Sequence, residues 1–102
     1  MIRHCVFIRF RSDVSRAERD NVLAGIAALQ STITGIEAIH LGQNASPEGM
    51  DRGFSEGFTV DFSDEAARDG YLTDAGHAAA GKRIVDAAEG GIDGILVFDL
   101  AI

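Results

Sequence analysis

The run IRHCVFIRF, residues 2–10, restricts the fold of this chain more than any other segment. Side chains of a strand alternate between two faces, so Ile2, His4, Val6, Ile8 and Phe10 share one side, while Cys5 and Phe7 share the other with Arg3 and Arg9. Both sides carry apolar groups. Such a strand belongs inside a sheet that needs a cover on each face, helices on one and something else on the other. A chain of 102 residues supplies one core, so residues 1–102 are read as a single domain.

The order of the remaining elements follows from caps and periodicity. Ser15 precedes RAERDNVLAGIAALQ, Glu18 stands three residues on as in a capping box, and Val22, Leu23, Ile26 and Ala27 fall at helical spacing, which predicts a first helix. Gly35 stops it, and IEAIHLGQN (36–44) reads as a second strand with Gly42 marking a bulge. A polar loop, 45–53, holds the only proline. FSEGFTVDF (54–62) is the third strand, with Phe54, Glu56, Phe58, Val60 and Phe62 on one face. Ser63 is expected to cap a short second helix ending near Tyr71, and Asp74 a third running from about Ala75 to Ala88. Three glycines, Gly90, Gly91 and Gly94, then lead into ILVFDL (95–100), the fourth strand.

The sum is βαββ(αα)β, an α+β, ferredoxin-like arrangement with one four-stranded antiparallel sheet and helices on one face. The other face, to which Val6, Ile8, Ile39, Phe58, Val60 and Val97 are assigned, is too apolar for water. A second copy packed face to face seals it, and a homodimer is predicted.

Charge narrows the partners. Nine basic against sixteen acidic residues give a net charge of −7, a poor match to nucleic acid or an anionic membrane. No basic, apolar leader opens the chain and no apolar run reaches the roughly 18–20 residues that span a bilayer, so a cytoplasmic protein is expected. Cys5, the only cysteine, sits in an apolar run and reads as a buried small hydrophobe.

Taken in order, HCVFIRF, GQNASPEGMDRGFSEGFTVDF (42–62), YLTDAGH and ILVFDL resemble the stress-responsive dimeric α/β-barrel (Dabb) family along nearly the whole chain. The resemblance implies a ferredoxin-like dimer whose two sheets form an open barrel. Most members have no assigned reaction. Among those that do, plant polyketide cyclases of the olivetolic acid type carry out an intramolecular aldol condensation without cofactor. Their catalytic pair is a tyrosine followed six residues later by a histidine, and Tyr71 and His77 match that order and spacing. Their first-strand histidine is matched by His4. Two departures stand out: Ala75 and Gly76 replace the frequent proline and alanine before His77, and Glu56 replaces a third-strand histidine. Related dimeric barrels also include cofactor-free monooxygenases.

The residue chemistry suits the match. With Asp74 as cap, His77 falls in the first turn of the third helix, where the helix dipole opposes a positive charge and favours a neutral general base. Tyr71 is placed to donate to a carbonyl oxygen as enolate charge develops, and this pair requires neither metal nor cofactor. The run Ala78, Ala79, Ala80 and Gly81 either leaves space beside the pair or packs a helix closely on the sheet. His4, Val6, Ile8, Ile39, Glu56 and Phe58 are expected to line the barrel interior as substrate-binding residues. His4 and Glu56 interrupt otherwise apolar faces, and a contact between them across neighbouring strands would satisfy both. A metal site from His4, Glu56 and His77 lacks any local ligand motif. His40 reads as helix-facing or at an edge. Three functions stay open: a cofactor-independent lyase or cyclase for a small hydrophobic carbonyl compound, a non-enzymatic dimeric module that binds a small ligand or serves structure, and, within the enzyme class, a cofactor-free monooxygenase.

Overall fold

The computed structural model describes residues 1–102. Its strands are β1 (Ile2–Ile8), β2 (Ile36–Gln43), β3 (Glu56–Phe62) and β4 (Ile95–Ala101); its helices are α1 (Arg16–Ala27), α2 (Glu65–Leu72) and α3 (Ala75–Ala87). The strands form one sheet in the order β2-β3-β1-β4, every neighbour antiparallel, so β1 takes an interior place. This is the expected α+β, ferredoxin-like architecture. Short-range chemistry sets the helix starts: the Ser15 hydroxyl accepts from Glu18 N–H at 3.1 Å, and one Asp74 carboxylate oxygen accepts from Gly76 N–H at 2.7 Å. At α2 the cap is Asp64, which accepts from Ala67 N–H, one residue beyond the expected Ser63. The bulge in β2 falls between Ile36 and Ala38, and Gly42 pairs in register with Gly57.

The covered face differs from the expectation. Ile2, Val6, Ile8 and Phe10 join Phe58, Val60 and Phe62 in one core with Val22, Leu23 and Ile26 of α1 and with Tyr71, Ala80 and Ile84 of α2 and α3. Val6, Ile8, Phe58 and Val60 therefore lie under the helices, and Ile39, opposite Val60, packs against the same core. Val97, opposite Val6, belongs to that side too, exposed because β4 is an edge strand beyond the helices. The uncovered face is built from the other parity. There Phe7 pairs with Leu96, Cys5 with Phe98 and Arg3 with Leu100, and all three β4 residues are exposed. An apolar face is left bare as expected, with Phe7, Leu96, Phe98 and Leu100 in place of Val6, Ile8, Phe58 and Val60.

Two features of that face lead to measurable consequences. A Cβ added at Gly57 would lie 2.5 Å from the Val6 carbonyl oxygen and 2.9 Å from the Phe7 ring, whereas one added at Gly42 meets nothing within 4 Å. Gly57→Ala is expected to cost about 1–3 kcal/mol as overpacking does, and Gly42→Ala far less, in urea unfolding midpoints. Arg3 makes two bonds to Asp61, at 2.7 and 2.9 Å, and these hold the Asp61 carboxyl below the ordinary value of 3.8. A depressed native pKa gives stability that is complete above the unfolded value and lost as pH falls through the native one. Unfolding free energy should therefore decline below about pH 4, and less steeply in Asp61→Asn.

Candidate functional site

The site is assembled at the junction of α2 and α3. Tyr71 is the one fully buried residue of α2, and its ring stands 5.1 Å from that of Phe62 on β3. The chain turns at Thr73, and the Asp74 carboxylate that caps α3 also accepts from His77 N–H at 3.3 Å. That cap places His77 in the first helical turn. The Tyr71 and His77 rings lie 4.3 Å apart between centroids, and His4 of β1 meets Tyr71 at 5.8 Å, nearly edge-on. Three proton-handling rings from β1, α2 and α3 thus share one cluster on the helix side of the sheet.

Electrostatics separate their roles. Burial pushes the Tyr71 hydroxyl up to about 12, so it stays a neutral donor. Burial first, then the charge of His4, hold His77 below the ordinary 6.5, while the Leu72 carbonyl and Asp74 act the other way. The Tyr71 hydroxyl oxygen and His77 Nδ1 are both buried without a partner in hydrogen-bond geometry, the Leu72 carbonyl lying near the imidazole but outside that geometry. A buried polar atom left unpaired costs about 1–3 kcal/mol, so two on adjoining rings are a cost that the packing of this cluster carries.

His4 has a partner that sequence reading missed. Its Nδ1 lies 2.7 Å from Asp99 Oδ1, and Asp99 Oδ2 accepts from Arg68 Nη1 at 2.7 Å. Burial pushes the Asp99 carboxyl up, yet the hydrogen bonds and charges of Arg68 and His4 outweigh it and leave it below the usual carboxylate value. The sequence signal was an aspartate inside ILVFDL on the strand face shared with Val97; strand pairing then sets it directly opposite His4.

The other expected residues disperse. Glu56 pairs in register with Ile8, four positions and about 13 Å along β1 from His4, and its carboxylate is taken by Arg16 and Arg19 of α1. The anticipated Glu56–His4 contact is therefore not made, and no three His, Cys, Asp or Glu side chains group as metal ligands do. Ala78 and Ala79 are exposed and only Ala80 faces the core, so the small-residue run does not open a space beside the pair; it lets α3 pack close. Val6 and Ile8 are closed within the core. A cavity of about 580 Å³ does exist, on the uncovered face, bordered by Phe7, His40, Met50, Phe54 and Leu96 and, of the expected lining residues, by Glu56 and Phe58. His40, opposite Thr59 on edge strand β2, belongs to that uncovered face and not to the helix side.

A four-stranded antiparallel sheet with all helices on one face, and a ring cluster between sheet and helices, defines a ferredoxin-like α+β protein. Residues 2–102 match the model of the stress responsive A/B barrel domain, and the chain belongs to this Dabb family. Among solved structures it is similar to a dimeric ferredoxin-like protein of unknown function from Jannaschia sp. CCS1, with 28% identity, 99% of this chain and 98% of that one covered, and a TM-score of 0.91. A hydroxynitrile lyase from Passiflora edulis shares the fold at 24% identity, 99% and 92% coverage and a TM-score of 0.84. A Dabb family protein from Mesorhizobium loti does so at 24% identity, 99% and 95% coverage and a TM-score of 0.78. No curated protein matches the sequence. No helix is long and apolar enough to cross a membrane.

Proposed function

We propose that this protein is a cofactor-independent lyase or cyclase acting on a small hydrophobic carbonyl compound, and that it works as a homodimer joined through the uncovered sheet face. The observation that carries the reading is the pair of unpartnered buried polar atoms on adjoining rings, the Tyr71 hydroxyl and His77 Nδ1. Neutral His77 takes the proton next to the carbonyl, the electron pair moves onto the carbonyl oxygen, and the Tyr71 hydroxyl donates a hydrogen bond to that oxygen. Half-buried His77 is the side from which substrate meets the pair. A hydroxynitrile lyase built on the same fold supports lyase chemistry on this scaffold by analogy. The dimer is supported by the exposed Leu96, Phe98 and Leu100 and by the dimeric relative from Jannaschia.

The test is a screen of β-polyketide and other activated carbonyl substrates with wild type, His77→Ala and Tyr71→Phe. Turnover that survives both changes removes the assignment. The pH profile gives a second check. With His77 below 6.5 and Tyr71 at about 12, the acid limb of kcat/KM should lie under pH 6.5, followed by a plateau across the neutral range. An acid limb above that value contradicts His77 as the base.

One observation favours a second reading. The large cavity lies on the opposite face of the sheet from Tyr71 and His77. In that reading the dimer is a small-ligand-binding module, and ligand affinity is indifferent to both substitutions.

A further inference from the structure

We propose that Asp99, oriented by Arg68, holds His4 in the tautomer with its proton on Nδ1, so that Nε2 is left as a hydrogen-bond acceptor. The inference deepens the reading above, on which the use of that acceptor by a substrate hydroxyl rests; the tautomer itself is independent of it. The geometry is a chain of three side chains from α2 through β4 to β1. Arg68 Nε donates to Asp69 Oδ1 at 2.9 Å and Arg68 Nη1 to Asp99 Oδ2 at 2.7 Å, while Asp99 Oδ1 lies 2.7 Å from His4 Nδ1. Arginine only donates and an ionised carboxylate only accepts, so the contact with His4 requires a proton on Nδ1. When the imidazole is neutral, Nε2 then has only a lone pair to offer. His4 is almost wholly buried and Asp99 is about one-quarter exposed, so water competes little for the bond at its inner end.

Arg68 supplies the direction. It occupies one carboxylate oxygen, which leaves the other for His4 and fixes the side chain between them. The group that meets Tyr71 edge-on at 5.8 Å is thus set by an arginine whose hydrogen bonds go to Asp69 and Asp99. Arg68 and Asp99 are positioning residues, acting through His4, in the way outer partners orient a functional histidine.

The test is long-range ¹⁵N–¹H correlation of the histidine rings in the intact protein, recorded with pH raised until the ring nitrogens show the neutral pattern of one pyrrole-type and one pyridine-type signal. No substrate is needed, so a failed substrate screen leaves this result standing and the reverse also holds. Wild type is expected to show His4 Nδ1 at the protonated, pyrrole-type position and Nε2 at the pyridine-type position. In Asp99→Asn, Arg68 retains the amide oxygen and the amide NH₂ turns to His4, so the two nitrogens should exchange positions. Adding Arg68→Met frees the amide to turn over, and the Nδ1-protonated form should reappear. Wild-type His4 protonated on Nε2 overturns the proposal outright, whether or not the variants fold. A double variant identical to Asp99→Asn overturns the part given to Arg68.

Discussion

Tyr71→Phe is expected to lower turnover about 100- to 1,000-fold, the usual effect of losing one oxyanion donor, while leaving the melting temperature unchanged or raising it. The two halves of that result rest on one feature. The hydroxyl is fully buried and bonds to nothing, so its removal deletes no interaction and relieves a desolvation cost of about 1–3 kcal/mol. The ring itself, packed on Phe62, His4 and His77, is kept by phenylalanine. His77→Ala is expected to cost about 100- to 10,000-fold as the loss of a general base. Parallel measurement of kcat and of thermal unfolding separates function from structure at both positions. A phenylalanine variant that melts earlier yet turns over normally would show the hydroxyl to be a structural group.

Phe98→Glu is expected to turn the dimer into a monomer at micromolar concentration, seen by sedimentation velocity. In a two-fold interface each substitution acts twice, so two carboxylates enter the contact. Phe98 packs on Phe7 at 5.9 Å and lies between Leu96 and Leu100 along the uncovered face, where the neighbouring cation, Arg3, is already held by Asp61. Burial of an uncompensated charge costs several kcal/mol, and about 4 kcal/mol raises Kd roughly a thousandfold. Wild type that sediments as a monomer would remove the dimer, and a variant that stays paired would move the interface elsewhere.

The sequence reading succeeded where the deciding interaction is local. Ser15 and Asp74 bond to amides within three residues of themselves, so the starts of α1 and α3 could be read from neighbours alone. The same cap, with the six-residue spacing, brought Tyr71 and His77 together. Face assignment failed because β1 is apolar on both parities: Val6 and Ile8 suit either side as well as Cys5 and Phe7 do, and alternation does not say which set the helices cover. The continuation of the even set into Phe58, Val60 and Phe62 was the clue to the more fully buried side. Register was the other gap. No tight turn joins β1 to β3, so nothing local aligned His4 with Val60 in place of Glu56. Asp99 escaped notice because its partner arrives from the other end of the chain, across 95 residues.

The clamp of Arg16 and Arg19 on Glu56 also shapes how the helix layer breathes. It rivets α1 to the sheet, adding two ionic ties to the three buried side chains that α1 already contributes. Helix α2 contributes one fully buried side chain, Tyr71, and one ionic tie to the sheet, from Arg68 to Asp99. The helix layer is therefore fastened more heavily at α1, by two ionic ties and three buried side chains, than at α2, by one of each, and amide hydrogen exchange in α2 is expected to outpace that in α1.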